Sequence, residues 1–103
     1  MGKPAARTTD PISAHSPCGP GQCGVGSPTV FIENKMAYCV GDTTFPHDFP
    51  EPAAFGTSCR PHTSTLVAGS SKVFVGGKAL GRVGDAHGCG ASITAGASKV
   101  IVG

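Results

Sequence analysis

Apolar residues along this chain come in short runs, each bounded by Gly, Pro, Ser or Asp. Val30-Phe31-Ile32 and Val73-Phe74-Val75 are β-branched and aromatic, which suits a short pleated strand. Each run is followed by a pair of residues that tolerate positive φ, Glu33-Asn34 and Gly76-Gly77, as two-residue hairpin turns require. A second short run then ends in Val-Gly-Asp. The pattern predicts two β-hairpins and no long helix.

The two hairpins are copies of one unit. Gly26 to Asp42 reads GSPTVFIENKMAYCVGD, and Gly69 to Asp85 reads GSSKVFVGGKALGRVGD; eight of the seventeen positions are identical without a gap. Half units stand at the chain ends. Gly96 to Gly103 matches the first half of the Gly69 unit at six of eight positions, and Gly2 to Asp10 shares Gly, Lys, Arg and Asp with the second half. Joining these halves makes a third hairpin, so the chain is expected to close on itself with pseudo-three-fold symmetry. Three hairpins sharing a core can hold together where one alone is marginal, and closure removes exposed strand edges. The fold class expected is mainly β, a small conical assembly of hairpins spanning residues 1–103 as a single domain.

Composition narrows this reading. Gly 16 and Pro 9 recur throughout the 103 residues, which favours turns over helices. A net charge of +2 without a Lys/Arg cluster, one Tyr and no Trp count against nucleic-acid binding. No apolar stretch reaches bilayer-spanning length, and the N-terminus has no apolar leader. Five Cys, an odd number, cannot all pair, and in a reducing compartment a Cys/His cluster more often holds metal.

The segments between hairpins run from Pro11 to Val25, Thr43 to Ala68 and Ala86 to Ala95. Pseudo-symmetry brings all three to one end of the molecule, where they are expected to form irregular loops. They contain every His and every Cys except Cys39. Soft and borderline ligands drawn from three distant loops describe a Zn²⁺ site. His62 and Cys89 each stand seven residues before the Gly that opens the next unit, at equivalent places; His15 and His87 lie close by in the other two loops. The expected ligands are His15, His62, His87 and Cys89, a closed His₃Cys site that holds a structural zinc. Metal binding would then contribute folding free energy on the order of 10 kcal/mol. Alternatives stay open at this point. His47 has the same offset after Asp42 as His15 has after Asp10, and so competes with His87. Cys18, Cys23, Cys59 and His62 make a second candidate set, and Cys18 with Cys23 a candidate disulfide. Asp10, Asp42 and Asp85 close equivalent units and read as turn-capping residues. With no paired carboxylates in an apolar setting and no nucleophile elbow, the chain is not expected to be an enzyme.

The string Pro4-Ala5-Ala6-Arg7, and repeats of the form G-S-x-x-V-F-[IV]-x-x-K-x-x-x-x-V-G-D, resemble the PAAR-repeat proteins. The middle unit departs from the motif with Met36-Ala37-Tyr38-Cys39, and the last with Ala79-Leu80-Gly81-Arg82. The resemblance implies a tip that caps and sharpens the trimeric valine-glycine-repeat spike of a type VI secretion or phage-tail-like injection machine. It implies docking through the cone base and zinc held near the apex by three His and one Cys. It further implies synthesis in the bacterial cytoplasm, ejection into a target cell, transient contact with the target membrane, and effectors carried as separate chains. Phe45, Phe49 and Phe55 of the middle loop are expected to pack along the cone's flank. A small zinc-binding nucleic-acid or adaptor module is the alternative.

Overall fold

The computed structural model describes residues 2–103, all in strands, turns and loops; among them there is no helix, and so none able to cross a membrane. Ten short strands pair into five two-stranded antiparallel sheets. Strands β4 (Phe31–Ile32) and β5 (Lys35–Met36) form one hairpin, and β8 (Phe74–Val75) and β9 (Lys78–Ala79) form its copy. Their turns carry positive φ at both central residues, 50° and 68° at Glu33 and Asn34, 57° and 83° at Gly76 and Gly77, which matches the right-handed strand twist. The third hairpin is made by the chain ends. β1 (Lys3–Pro4) pairs with β10 (Ile101–Val102), Lys3 opposite Val102 and Pro4 opposite Ile101.

The three hairpins are locked around one axis by a cyclic set of backbone hydrogen bonds. Ala6 N–H donates to Gly81 C=O (2.9 Å), Gly81 N–H to Tyr38 C=O (2.8 Å), and Tyr38 N–H to Ala6 C=O (3.1 Å). Isolated bridges Ala5–Arg82, Arg7–Ala37 and Cys39–Leu80 repeat the same rotation. Small residues at the axis let the three backbones meet. At Gly81 an added Cβ would lie 2.6 Å from Leu66 Cδ2 and 2.8 Å from the Tyr38 carbonyl oxygen.

Each unit ends in the capping device expected of its Asp. Asp10, Asp42 and Asp85 accept the N–H of Arg7, Cys39 and Arg82 at 2.7, 2.8 and 2.9 Å. Arg7 and Arg82 also fork onto the same carboxylates through Nε and Nη2. The middle unit has Cys39 in place of Arg, and there Lys78 of the neighbouring unit reaches Asp42 at 2.9 Å.

The core lies in two stacked layers. Ala5, Ile32, Ala37, Cys39, Leu80, Ala97 and Val102 fill the space between the hairpins. Ala6, Ile12, Cys23, Tyr38, Leu66, Ala91 and Ile93 form the second layer, under the connecting loops. One expectation fails here. The middle connection is not irregular: it forms a long hairpin of β6 (His47–Ala53) and β7 (Gly56–His62), paired from His47↔His62 to Ala53↔Gly56. Pro50, Pro52 and Pro61 argue against strands when read singly, because proline cannot donate to the ladder. Their placement resolves the conflict. Pro50, Pro52 and Asp48, the partner of Pro61, occupy alternate rows of the register, so the missing N–H groups fall on the rows that face away from the partner strand. The distal part of this hairpin is exposed and ends at Phe55, and the molecule measures 46 × 26 × 22 Å. A shorter pair, β2 (Pro11–Ile12) and β3 (Gly21–Gln22), closes the first loop.

Gly81→Ala should destabilise the protein by about 1–3 kcal/mol, the usual range for overpacking at a site that cannot relax. Chemical denaturation of the metal-free protein measures this.

Candidate metal centre

The long hairpin starts at a cluster of histidines. Its first cross-strand pair is His47 and His62, whose Nε2 atoms face each other at 2.9 Å. His15, from the first loop, brings its Nε2 to 3.3 Å from that of His47. Cys89, from the third loop, completes the group, and the four donor atoms all lie within 4.8 Å of one another. Three sequence-distant loops thus converge at one place.

The donor set fits a metal ion. Three imidazole nitrogens pointing at a shared space cannot all be satisfied by one another, because each facing pair can hold only one proton. A tetrahedral ion with M–N of about 2.0–2.1 Å places its nitrogen ligands about 3.3–3.4 Å apart, close to the spacing seen here. The surrounding contacts aim the rings. Phe45 C=O and Thr44 Oγ1 both lie 3.3 Å from His47 Nδ1. The carbonyl can only accept, so Nδ1 carries the proton and Nε2 offers its lone pair, the usual outer-shell arrangement for a ligating His. Phe49 packs against both His15 and His62, with ring centroids 4.7 and 4.6 Å away. Gly21 on β3 leaves room for His47: a Cβ there would stand 2.6 Å from His47 Cβ. Ser64 Oγ accepts the Cys89 N–H at 3.0 Å.

His15, His62 and Cys89 join the group, as does His47. His87, expected as a ligand from its nearness to Cys89 in sequence, does not. Its side chain is buried, with Nδ1 donating to the Ala91 carbonyl at 2.9 Å and Nε2 2.9 Å from the Tyr38 hydroxyl. Both nitrogens are occupied, so neither is free for a metal. The repeat explains the placement: His87 stands two residues after Asp85, where the other units have Ile12 after Asp10 and Thr44 after Asp42, both buried. Tyr38, at the axis position held by Ala and Gly elsewhere, reaches this core site and gives the His a partner. The signal for His47 was its offset from Asp42.

The cysteines divide by role. Cys18 is bonded to Cys59 rather than to Cys23, with Cα atoms 5.8 Å apart, which removes the alternative ligand set of Cys18, Cys23, Cys59 and His62. Cys23 and Cys39 are free and buried. Burial pushes their thiols up, to about 12 and about 11, so they remain neutral core residues. Phe49 covers the histidines instead of the flank, and Phe55 stands fully exposed at the hairpin tip.

Desolvation, and secondarily neighbouring imidazoles, lower the pKa of His15 and His62 from the ordinary 6.5. A depressed histidine favours the neutral form that metals require. The unfolded chain therefore takes up these protons first as pH falls below about 6.5. Stability is full above that value and lost on acidification, and competition for the Nε2 lone pairs acts in the same direction. A metal-loaded sample should release its ion between pH 7 and pH 4, with thermal stability falling alongside, as followed by a chelator dye and circular dichroism. Substituting His47→Ala should weaken metal binding on the order of a hundredfold, about a quarter of a binding free energy near 10 kcal/mol. His87→Gln should lower stability and leave metal stoichiometry unchanged. Metal analysis after dialysis separates the two variants.

No curated protein matches this chain. Residues 54–95, which include β7, the last hairpin and the Cys89 loop, match the family model described as PAAR motif. That match and the Pro-Ala-Ala-Arg string at the axis show that the chain carries a PAAR motif and is similar to the PAAR-repeat proteins.

Proposed function

We propose that residues 1–103 act as one domain that caps the trimeric valine-glycine-repeat spike of a contractile injection machine, with a structural Zn²⁺ in the His15, His47, His62 and Cys89 site. The observation that carries this reading is the three-fold repetition of exposed apolar side chains on a single chain. Phe31, Phe74 and Ile101 occupy equivalent hairpin positions and are 58%, 58% and 56% exposed; Val30, Val73 and Val100 beside them are 38%, 37% and 36% exposed. Large apolar side chains repeated at one exposure around an axis mark a docking surface. Its symmetry suits a trimer, and one chain meeting three forms a heterotypic interface.

Zinc is favoured among divalent ions by the chemistry of the donors, three imidazoles and one thiolate in a four-ligand set with no carboxylate. A sphere filled by protein ligands leaves no position for an activated water, so the ion's role is to stiffen the loops. Four of the eight basic side chains, Arg7, Arg60, Lys78 and Arg82, already pair with carboxylates, which supports a protein partner over nucleic acid. In this role the chain is loaded in the cytoplasm, leaves with the spike, and touches the target membrane only in passage.

Replacing Phe31, Phe74 and Ile101 together by Ser should abolish capture by a purified trimeric valine-glycine-repeat spike protein. Zinc content and thermal stability should change little, because these side chains are already solvent-exposed. Full binding by that variant would remove the docking proposal.

A further inference from the structure

The bridge between Cys18 and Cys59 stands beside the metal centre in a particular way. In the first loop the order is His15-Ser16-Pro17-Cys18, and on β7 it is Cys59-Arg60-Pro61-His62. Each cysteine is three residues from a histidine of the cluster, in opposite chain directions. The bridge and the imidazoles therefore tie the same two segments twice, once through sulfur and once through the shared Nε2 space.

The two segments differ in how else they are held. His62 belongs to a seven-residue strand paired along its whole length. His15 has no such support. Among the described residues, the backbone from 14 to 20 makes one hydrogen bond, the internal turn from Cys18 N–H to His15 C=O at 2.6 Å. The bridge, closing 41 residues of sequence, is the covalent tie that brings this segment to the hairpin.

We propose that the Cys18–Cys59 disulfide is a positioning latch for His15, so that the affinity of the centre for its metal depends on the redox state of this pair. The proposal rests on the metal-centre reading above. Reduction by a monothiol such as glutathione follows ordinary exchange. One thiolate attacks a bridge sulfur, giving a mixed disulfide and releasing one protein thiolate. A second thiolate then displaces the other cysteine. Two electrons pass to the protein sulfurs, which take up two protons, and one molecule of glutathione disulfide forms. Cys59 lies on an exposed strand, within reach of such a reagent. The released His15 segment regains its conformational freedom, and the centre must order it again on binding metal. Linkage makes the coupling reciprocal: bound metal makes the bridge harder to reduce by the same factor.

The test uses the full chain, oxidised or reduced, together with a Cys18→Ser/Cys59→Ser variant that carries no new thiols at the site. Zinc is titrated against a chromophoric chelator. The oxidised chain should bind zinc at least about tenfold more tightly than the reduced chain or the variant, the range typical of lost outer-shell support. Zinc should raise the glutathione concentration needed for half-reduction correspondingly. In a His15→Ala background the residual zinc affinity should no longer depend on redox state, because the latch acts through that side chain. A purely stabilising disulfide would leave the dependence in place, and that result would overturn the proposal. Equal or tighter binding by the reduced chain would also overturn it. If neither form binds zinc, the metal-centre reading itself falls.

Discussion

Three backbone hydrogen bonds around one axis, joining Ala6, Gly81 and Tyr38 in a closed cycle, are the constraint on which the rest of this molecule depends. A cycle of that kind requires three strands at the same height and rotation. It therefore fixes the hairpins relative to one another, and it forces the chain ends to meet as the third hairpin. Backbone groups paired in this way are not left unsatisfied in the interior, where an unpaired donor or acceptor costs about 1–3 kcal/mol. The side chains at the cycle must be small, or must find a route out. Ala6 and Gly81 are small. Tyr38 turns its ring into the second core layer, where its hydroxyl meets His87.

The metal centre follows from the same closure. Each loop leaves the axis after an Asp cap, so all three leave in the same direction. The loop from Asp10 delivers His15, the loop from Asp42 delivers His47 and His62 on the two strands of one hairpin, and the loop from Asp85 delivers Cys89. The hairpin supplies two ligands because its first ladder rung places them face to face. An ion held there would act on the part of the molecule with least core, where small domains often need a staple.

Much of this was legible in the residues. The ungapped match between the Gly26 and Gly69 units carries hairpin geometry directly, and the half units at the ends leave one way to pair. Asp10, Asp42 and Asp85 were readable because capping depends on a side chain and its own nearby backbone. His87 was harder to read. Nearness to Cys89 in sequence suggested a ligand, whereas the repeat frame counted from Asp85 assigns it to a buried position. That frame decides where a side chain points; proximity along a loop does not. The β6–β7 hairpin was hidden by three prolines that fall on rows where an N–H is not needed, a fact visible only once the register is known. The Cys18–Cys59 bridge was hidden because spacing does not determine connectivity.

The three-fold apolar exposure around the hairpins suits the docking role proposed above. The central claim is that one tetrahedral ion joins all three loops through three imidazoles and one thiolate. X-ray absorption at the zinc edge on the purified oxidised chain tests it most directly. The account requires three nitrogen scatterers at about 2.0–2.1 Å and one sulfur at about 2.3 Å. A shell of oxygen ligands, or one with two or more sulfurs, would contradict it.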